Sequence, residues 1–375
     1  MVNFFKIYFW ILIPFLLLNN SKQQQDGYKT ISHEVIINHP GEKEPVETIL
    51  EEIQNKNGLP IQYTMDVYSV ICLEQVCKVI PVKLYWNNIG EYQKYELAKD
   101  ATLEKYEADL FEPQDYIKLQ SILSNNNSPF KEVYLDEILT VPDEHGDEDL
   151  DAVSGATSLE LDEKDTVPGA ALTCYTLWHW ANGDVVLKIK NQTGKSVSTS
   201  QLQEFILDKN NTYFKIAINE FQNRKEFSKP VVDTIIKKVL IDSTLLRTTL
   251  SYLKNVSPEL YFYALNRFFF EGEKEQKLAA IQSLRQTSHS ISKDYLDKFS
   301  SKIKSLNSFQ EVSLFLGLME DKNSNSKVVI ENSMTLLDAD FLIARRSYWF
   351  LKNQELSNKQ TNRLHAFYEK HKSRL

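Results

Sequence analysis

The sequence predicts an α+β domain with a small antiparallel sheet and helices, followed by an all-α domain. Nine of the eleven glycines and nine of the eleven prolines lie at or before Gly194, which is where frequent turns are expected. After Ser196 the apolar residues recur at the three- and four-residue spacing of amphipathic helices. With 375 residues, 42% of them hydrophobic, the chain is long enough for two cores. We therefore expect domains at residues 28–192 and 196–375.

The N-terminus carries the pattern of an export signal. Lys6 precedes twelve uncharged apolar residues, Ile7 to Leu18, a run too short to span a bilayer comfortably and typical of a signal-peptide core. We expect residues 1–21 to be a signal peptide or, alternatively, an uncleaved N-terminal anchor, and the protein to be periplasmic or otherwise extracytoplasmic. The formal charge of −8 and the absence of a basic sequence run argue against nucleic acid as a partner.

Two strand-like segments place two cysteines opposite each other. Residues 67–72 and 77–85 are rich in β-branched and aromatic side chains, which is typical of strands. A two-residue turn at Glu74-Gln75 makes Cys72 and Cys77 a non-hydrogen-bonded pair with Cα atoms about 4.5 Å apart, within disulfide geometry. In an exported chain this favours a structural cross-strand disulfide. Two buried thiols and a redox-active pair are the alternatives.

Cys174 remains as a third cysteine. Its position on an apolar helix predicts a buried side chain that behaves as a small hydrophobe. Three cysteines without matching histidine spacing predict neither a zinc nor an iron–sulfur site.

Four further elements are expected in the first domain. Pro113 near the start of residues 112–124 predicts a helix that ends before Asn125. Residues 134–141 are expected to form a strand. A helix is expected from Pro168 to a left-handed stop at Gly183, and residues 184–190 are expected to form the closing strand. The helix is apolar nearly all round, so its aromatic rings are expected in the core, with a place beside a bound cofactor as the alternative.

Between these elements lies a short, small-residued motif, Asp151-x-x-Ser154-Gly155-Ala156-Thr157. Gly155 permits a tight turn, and small neighbours let a ligand approach the backbone closely. Amide groups and hydroxyls around such a bend suit a phosphate. The acidic run just before it, residues 143–149, would repel a free anion, so a covalently attached phosphate fits better than a freely bound one.

This motif resembles the flavinylation motif of the FMN-binding domain family, which includes the covalent-flavin subunits of sodium-pumping quinone reductase and its relatives. The resemblance implies that a separate flavin transferase esterifies the FMN phosphate to Thr157. It also implies that Ser154, Gly155 and Ala156 shape the turn and that Asp151 belongs to the recognised signature. The similarity covers at most residues 28–192, and the acidic residues from Glu160 to Asp165 depart from the family pattern.

The second half resembles a HEAT-like α-solenoid, because helical segments of about a dozen residues alternate with short polar links. Ser257-Pro258-Glu259 predicts one capped helix start. The aromatic residues among 261–270 are expected to pack between helices, with a partner surface as the alternative. No catalytic or metal-binding constellation is evident, so scaffolding or contact with a protein partner is expected.

Together these features predict an extracytoplasmic electron carrier with FMN esterified to Thr157. It would be a substrate of the transferase rather than an enzyme with its own turnover, and would exchange electrons with a membrane or periplasmic redox partner. The alternatives are a cofactor-free exported interaction protein built on helical repeats, and thiol–disulfide chemistry at Cys72 and Cys77.

Overall fold

A computed structural model of the chain describes residues 27–69, 79–105, 109–139 and 164–375. The chain divides into two compact units, and the division falls between Leu187 and Lys188. The first unit contains an antiparallel sheet with helices, and the second is helical.

The sheet of the first unit is a five-stranded meander in which each strand pairs with the next. Its strands are β1 (Lys29–Ile37), β2 (Val46–Gln54), β3 (Pro60–Tyr68), β4 (Pro81–Asn87) and β5 (Tyr92–Leu97). All neighbouring pairs are antiparallel, with irregularities in β2 at Ile53/Gln54 and in β4 at Tyr85/Trp86. Gly90, at φ +80°, lies in the turn between β4 and β5.

One face of the sheet forms the core of this unit because alternate residues of each strand are apolar. Tyr63, Met65, Leu84 and Trp86 on the two central strands are almost completely buried, as the two-residue period of a strand requires. The Trp86 indole nitrogen donates to the Ala181 carbonyl at 2.7 Å. This hydrogen bond fastens the sheet to the helix that carries Ala181.

Four helices accompany the sheet: α1 (Pro113–Ser124), α2 (Leu135–Leu139), α3 (Ala171–Asn182) and α4 (Asp184–Ser196). The predicted helix α1 is confirmed, with Asn125 as its C-cap. It packs against β5 and α3. The division between the two units lies within α4.

Two predicted strands are wrong. Residues 135–139 form helix α2. Asp136 and Glu137 lie in its first turn, where negative side chains interact favourably with the positive end of the helix dipole. Residues 184–190 belong to α4. Val185 and Ile189, four residues apart, are both buried, so the apolar pattern has a helical period. The Asn38 backbone and side-chain N–H groups both donate to Asp184 at the start of α4.

The boundaries predicted for the helix around α3 also need correction. The helix begins at Ala171 rather than Pro168. Gly183 has φ −84° and therefore does not provide a left-handed stop. Glycine is needed there for a different reason: a Cβ atom would lie 2.4 Å from the His179 carbonyl oxygen.

The second unit contains eleven further helices among the described residues. They are α5 (Thr199–Leu207), α6 (Asn211–Asn223), α7 (Lys229–Ile241), α8 (Leu246–Leu253), α9 (Pro258–Glu271), α10 (Lys274–Gln286), α11 (Lys293–Ser300), α12 (Phe309–Lys322), α13 (Lys327–Met334), α14 (Phe341–Leu351) and α15 (Asn358–His371). Helices two places apart in the chain pack together. On one side α5 contacts α7, α7 contacts α9 and α11 contacts α13, and on the other α6 contacts α8, α10 contacts α12 and α12 contacts α14.

Every second helix begins with a serine N-cap. Ser198, Ser228, Ser257, Ser292, Ser326 and Ser357 precede α5, α7, α9, α11, α13 and α15, at intervals of 29 to 35 residues. In four of these helices the hydroxyl accepts a hydrogen bond from a first-turn backbone N–H. A further serine, Ser308, caps α12. The predicted start at Ser257 is confirmed.

Candidate functional site

The predicted flavin motif, Asp151 to Thr157, lies outside the described residues, but both neighbouring parts of the chain are described. Before it, α2 packs against α3. After it, Lys164 to Ala170 lead into α3, and the Val167 N–H donates to the Cys174 sulfur on that helix at 3.4 Å. The chain therefore contacts helix α3 both just before and just after the segment that carries the motif.

The N-terminus of α3 has no side-chain cap. Its N-cap is Ala170, which offers no hydrogen-bonding side chain, and the preceding Gly169 has φ +71°. The first-turn N–H groups of a helix have no partner within the helix and carry partial positive charge. Ala170 follows Thr157 by thirteen residues, a length that allows the chain to fold back. This helix end has the chemistry that favours a phosphate.

The aromatic side chains of α3 belong to the core, as the sequence favoured. Tyr175, Trp178 and Trp180 are each almost fully buried. Phe130 packs edge-on against Tyr175, and the Trp178 indole donates to the Asn125 carbonyl at 2.8 Å. With these rings packed against protein, the aromatic faces of α3 leave little room for a flavin ring.

A pair of buried histidines adjoins the same helix. His39 follows β1, and its ring lies 4.5 Å from that of Trp180 and 5.8 Å from that of His179, measured between centroids. His39 Nε2 lies 3.0 Å from the Thr176 carbonyl oxygen, and its Nδ1 accepts from the Gly41 N–H. These two bonds fix one neutral tautomer, with the proton on Nε2.

Burial lowers the pKa of both histidines. For His39, desolvation lowers the pKa to about 4, although the hydrogen bond to Thr176 opposes the shift. For His179, desolvation and then the neighbouring His39 lower the pKa to about 4. Both rings are therefore neutral at pH 7, and neither carries a proton to donate as an imidazolium at that pH.

Three buried polar atoms on α3 have no hydrogen-bond partner among the described residues. They are Thr176 Oγ1, His179 Nε2 and Trp180 Nε1. Residues 176, 179 and 180 lie on one face of the helix because they are three and four positions apart. Together they offer a hydroxyl, an unprotonated ring nitrogen and an N–H donor, a set that suits a buried water or another small polar group.

A second polar group lies on the inner face of the sheet. Glu52 on β2 is fully buried, and its carboxylate lies 2.8 Å from Nε2 of His33 on β1, whose side chain is 20% exposed. Gln54 donates to the other oxygen of Glu52 at 2.6 Å. The buried carboxylate of Glu52 therefore holds both the His33 ring and the Gln54 amide in place.

Sequence reasoning missed His33 and Glu52, although the signal was present. His33 occupies a core-facing position in the alternation Ile31, His33, Val35, Ile37, and Glu52 does so on β2. Polar residues at apolar positions of an amphipathic strand indicate a buried polar pair.

The predicted cysteine pair also lies outside the described residues, but the strands leading to it are described. Tyr68 pairs with Pro81, and the Ser69 N–H donates to the Ile80 carbonyl. This register of β3 and β4 is the one that the predicted hairpin requires. Cys174 is buried, and burial raises the pKa of its thiol to about 11, so it is an unreactive core side chain.

In the second unit, the aromatic residues of α9 pack between helices. Tyr261, Phe268 and Phe269 are buried, and Phe269 stacks on Phe299 of α11 at a centroid distance of 4.3 Å. The helices also form a groove of about 620 Å³ lined by residues of α10 and α12, among them Leu278, Phe309 and Leu314. Gln282, Arg285, Gln310 and Ser313 also line it, so the groove is mixed in polarity.

Neither a metal cluster nor a membrane-spanning helix is found in the described part of the chain. Comparisons with protein-family models, with curated proteins and with solved structures each find no match.

Proposed function

We propose that this protein is an extracytoplasmic electron carrier with FMN esterified to Thr157. The observation that carries the proposal is the sequence Asp151-x-x-Ser154-Gly155-Ala156-Thr157, which contains every fixed position of the flavinylation motif. A flavin transferase attaches the group, and a membrane or periplasmic redox partner exchanges electrons with it. When bound, FMN supplies reversible one- and two-electron transfer.

Each residue of the motif has a role in this proposal. Thr157 Oγ1 provides the ester oxygen, and Ser154, Gly155 and Ala156 form the small turn that the transferase must accommodate. The uncapped N-terminus of α3 supports the proposal, because its first-turn N–H groups suit the phosphate diester that remains after attachment. The buried aromatic rings of α3 do not provide its flavin-ring site.

The proposal is tested by coexpressing the full chain in the periplasm with a flavin transferase and magnesium. We expect a fluorescent band that survives a denaturing gel. Thr157→Ala should abolish it, because the ester oxygen is lost. Ser158→Ala is the matched control and should keep it, because Ser158 lies outside the motif. Asp151→Ala should weaken labelling.

If the protein stays colourless with several transferases, either the proposal is wrong or the acidic insertion keeps the transferase from the motif. A variant in which the acidic residues from Glu160 to Asp165 are replaced by serine separates these cases. Labelling of that variant alone would show that the motif is intact but shielded. Absence of labelling in both would reject the flavin proposal.

The second candidate function is that of an interaction protein whose helices form a HEAT-like α-solenoid. The serine caps at intervals of 29 to 35 residues and the packing of helices two places apart support it. Stacking of successive helix pairs is how repeat proteins bury a continuous core. Hydrogen bonds between neighbouring pairs agree with this: Tyr263 donates to Asp233 at 2.7 Å, and Tyr295 donates to the Phe262 carbonyl at 3.0 Å.

The two candidates differ in an observable property. Purified from its own host, the electron carrier is yellow, whereas the interaction protein is colourless and retains its partner when the flavin motif is altered. Capture of the same partner by wild type and by Thr157→Ala would favour the second candidate if neither sample contains flavin.

A further inference from the structure

The last helices of the second unit differ in charge from the rest of the protein. Residues 340–375 contain eight lysines and arginines and three acidic residues, a net +5 in a chain of net −8. A set of cations and apolar side chains lies on α14 and α15 and just after each helix: Leu342, Arg345, Trp349, Lys352, Tyr368 and Arg374, of which Arg345 is half-buried and the others are exposed. We call this set the aromatic–basic face.

The apolar members of this face are large and exposed. Leu342, Trp349 and Tyr368 have 50%, 42% and 41% of their surface accessible. Leu342, Arg345 and Trp349 lie on one stripe of α14, because they are three and four positions apart. The rings of Trp349 and Tyr368 each contact the ring of Tyr348.

The cations lie directly beside these rings. The Lys352 ammonium is 5.0 Å from the centre of the Trp349 ring, and the Arg374 guanidinium is 3.8 Å from that of Phe341. The Arg345 guanidinium also lies over the Phe341 ring. None of these three cations forms an ion pair with a carboxylate of the described residues, whereas Arg346 and Arg363 do. Their charge is therefore available to a partner.

We propose that the aromatic–basic face binds an anionic phospholipid surface. Indole and phenol rings prefer the boundary between headgroups and acyl chains, and lysine and arginine reach the phosphates from the same depth. An acidic peptide would neutralise the cations without covering Leu342 and Trp349. The net negative charge elsewhere in the chain opposes approach to such a membrane by other surfaces. This proposal is independent of flavin attachment.

The test is flotation of the purified full chain with two kinds of vesicle, phosphatidylcholine alone and phosphatidylcholine mixed with phosphatidylglycerol. We expect binding to the mixed vesicles to exceed binding to the neutral ones and to weaken at high salt. Lys352→Gln and Arg374→Gln should each lower the apparent affinity for the mixed vesicles about fivefold. Trp349→Ala should also weaken binding, and Trp349→Phe should restore part of it.

Matched substitutions elsewhere serve as controls. Lys237→Gln removes an exposed cation of α7, and Phe309→Ala removes a ring that is 45% exposed on α12. Neither should change binding. Circular dichroism and thermal melting establish that each variant is folded before its binding is compared.

Three outcomes would overturn the proposal. The first is the absence of binding to both kinds of vesicle. The second is binding that is equal on both and unaffected by the face variants, which would assign it to the apolar N-terminal run. The third outcome is binding to a polyglutamate peptide that depends on Lys352 and Arg374 but is indifferent to Trp349→Ala, with no preference for mixed vesicles. That result would assign the face to an acidic protein partner.

Discussion

His39 and His179 show how two buried rings link the stability of this protein to pH. Each has a folded-state pKa of about 4, below the ordinary value of about 6.5. Between these values the unfolded chain binds protons that the folded chain does not. The stabilisation is complete above pH 6.5 and is lost as the pH falls towards 4.

We expect the unfolding free energy of the wild type to fall more in acid than that of His39→Gln. Between pH 7 and about pH 4.5, the unfolding free energy of the wild type should fall by about 2 kcal/mol more than that of the variant. Urea denaturation at both pH values measures the difference, and the comparison cancels the titration of carboxylates common to both proteins. Parallel losses in the two proteins would contradict a neutral buried His39.

Sequence reasoning reached some of these residues and missed others for a physical reason. The burial of Cys174, Tyr175 and Trp178 follows from the apolar composition of one helix. The contacts of His39 with α3 join residues more than 130 positions apart, and no local period reveals such a pairing. The flavin motif remains a prediction, because it is recognised from its residues and lies outside the described structure.

At the scale of single elements, the sequence predicts a helix best where clear start and stop signals mark its ends. Helix α1 could be predicted because Pro113 and Asn125 mark its ends. Helices α2 and α4 could not be predicted from β-propensity, which is a weak preference. In α4 it is outweighed by the burial of Val185 and Ile189 at helical spacing, and α2 carries acidic residues in its first turn. The serines that precede alternate helices are visible in the sequence. Their intervals vary from 29 to 35 residues, so they do not define a fixed period.

Serine caps with and without their hydrogen bond offer a matched comparison. Ser292 Oγ accepts from the Tyr295 N–H at 3.2 Å, whereas Ser228 caps α7 without a side-chain hydrogen bond. Ser292→Ala should therefore lower the unfolding free energy by about 1 kcal/mol, and Ser228→Ala by a few tenths. Thermal denaturation of both variants measures this difference. Equal losses would mean that the hydroxyl bond is not the source of the stabilisation.

The register of β3 and β4 leads to a prediction about cysteine chemistry. If the pairing of Ser69 with Ile80 continues along both strands, Cys72 reaches Cys77 in a non-hydrogen-bonded pair. Non-reducing peptide mapping of the exported protein should recover the two cysteines in one linked species. Cys174 should remain a free thiol that alkylates only after denaturation. Free thiols at positions 72 and 77 would rule out the disulfide.

For the whole molecule, the change from turn-rich to helical sequence indicated both parts, and the structure places the division within α4. The sequence could not locate this point, because α4 was interpreted as a strand. In the second unit, Arg224 donates to the carbonyls of Gly194 and Val197 at 2.9 and 2.7 Å. These bonds satisfy carbonyl groups around the end of α4, so the second unit uses the C-terminal part of that helix.

Two fragments that differ only in the C-terminal part of α4 test whether the second unit depends on it. Residues 188–375 should give a helical circular dichroism spectrum and a cooperative melt. A fragment of residues 198–375 should melt at a lower temperature, because it lacks the partner carbonyls of Arg224. A disordered spectrum from the longer fragment would mean that the two units fold only together.

The packing of each helix mainly against neighbours one and two places along the chain has a mechanical consequence. If the helices form the proposed solenoid, tension applied to its two ends is carried in series, and we expect helix pairs to unfold one after another. A pair of 29 to 35 residues releases about 100 Å of extended chain. In an optical trap, the extension of the second unit should therefore increase in several discrete unfolding steps rather than in a single one. The unit should refold when the force is relaxed.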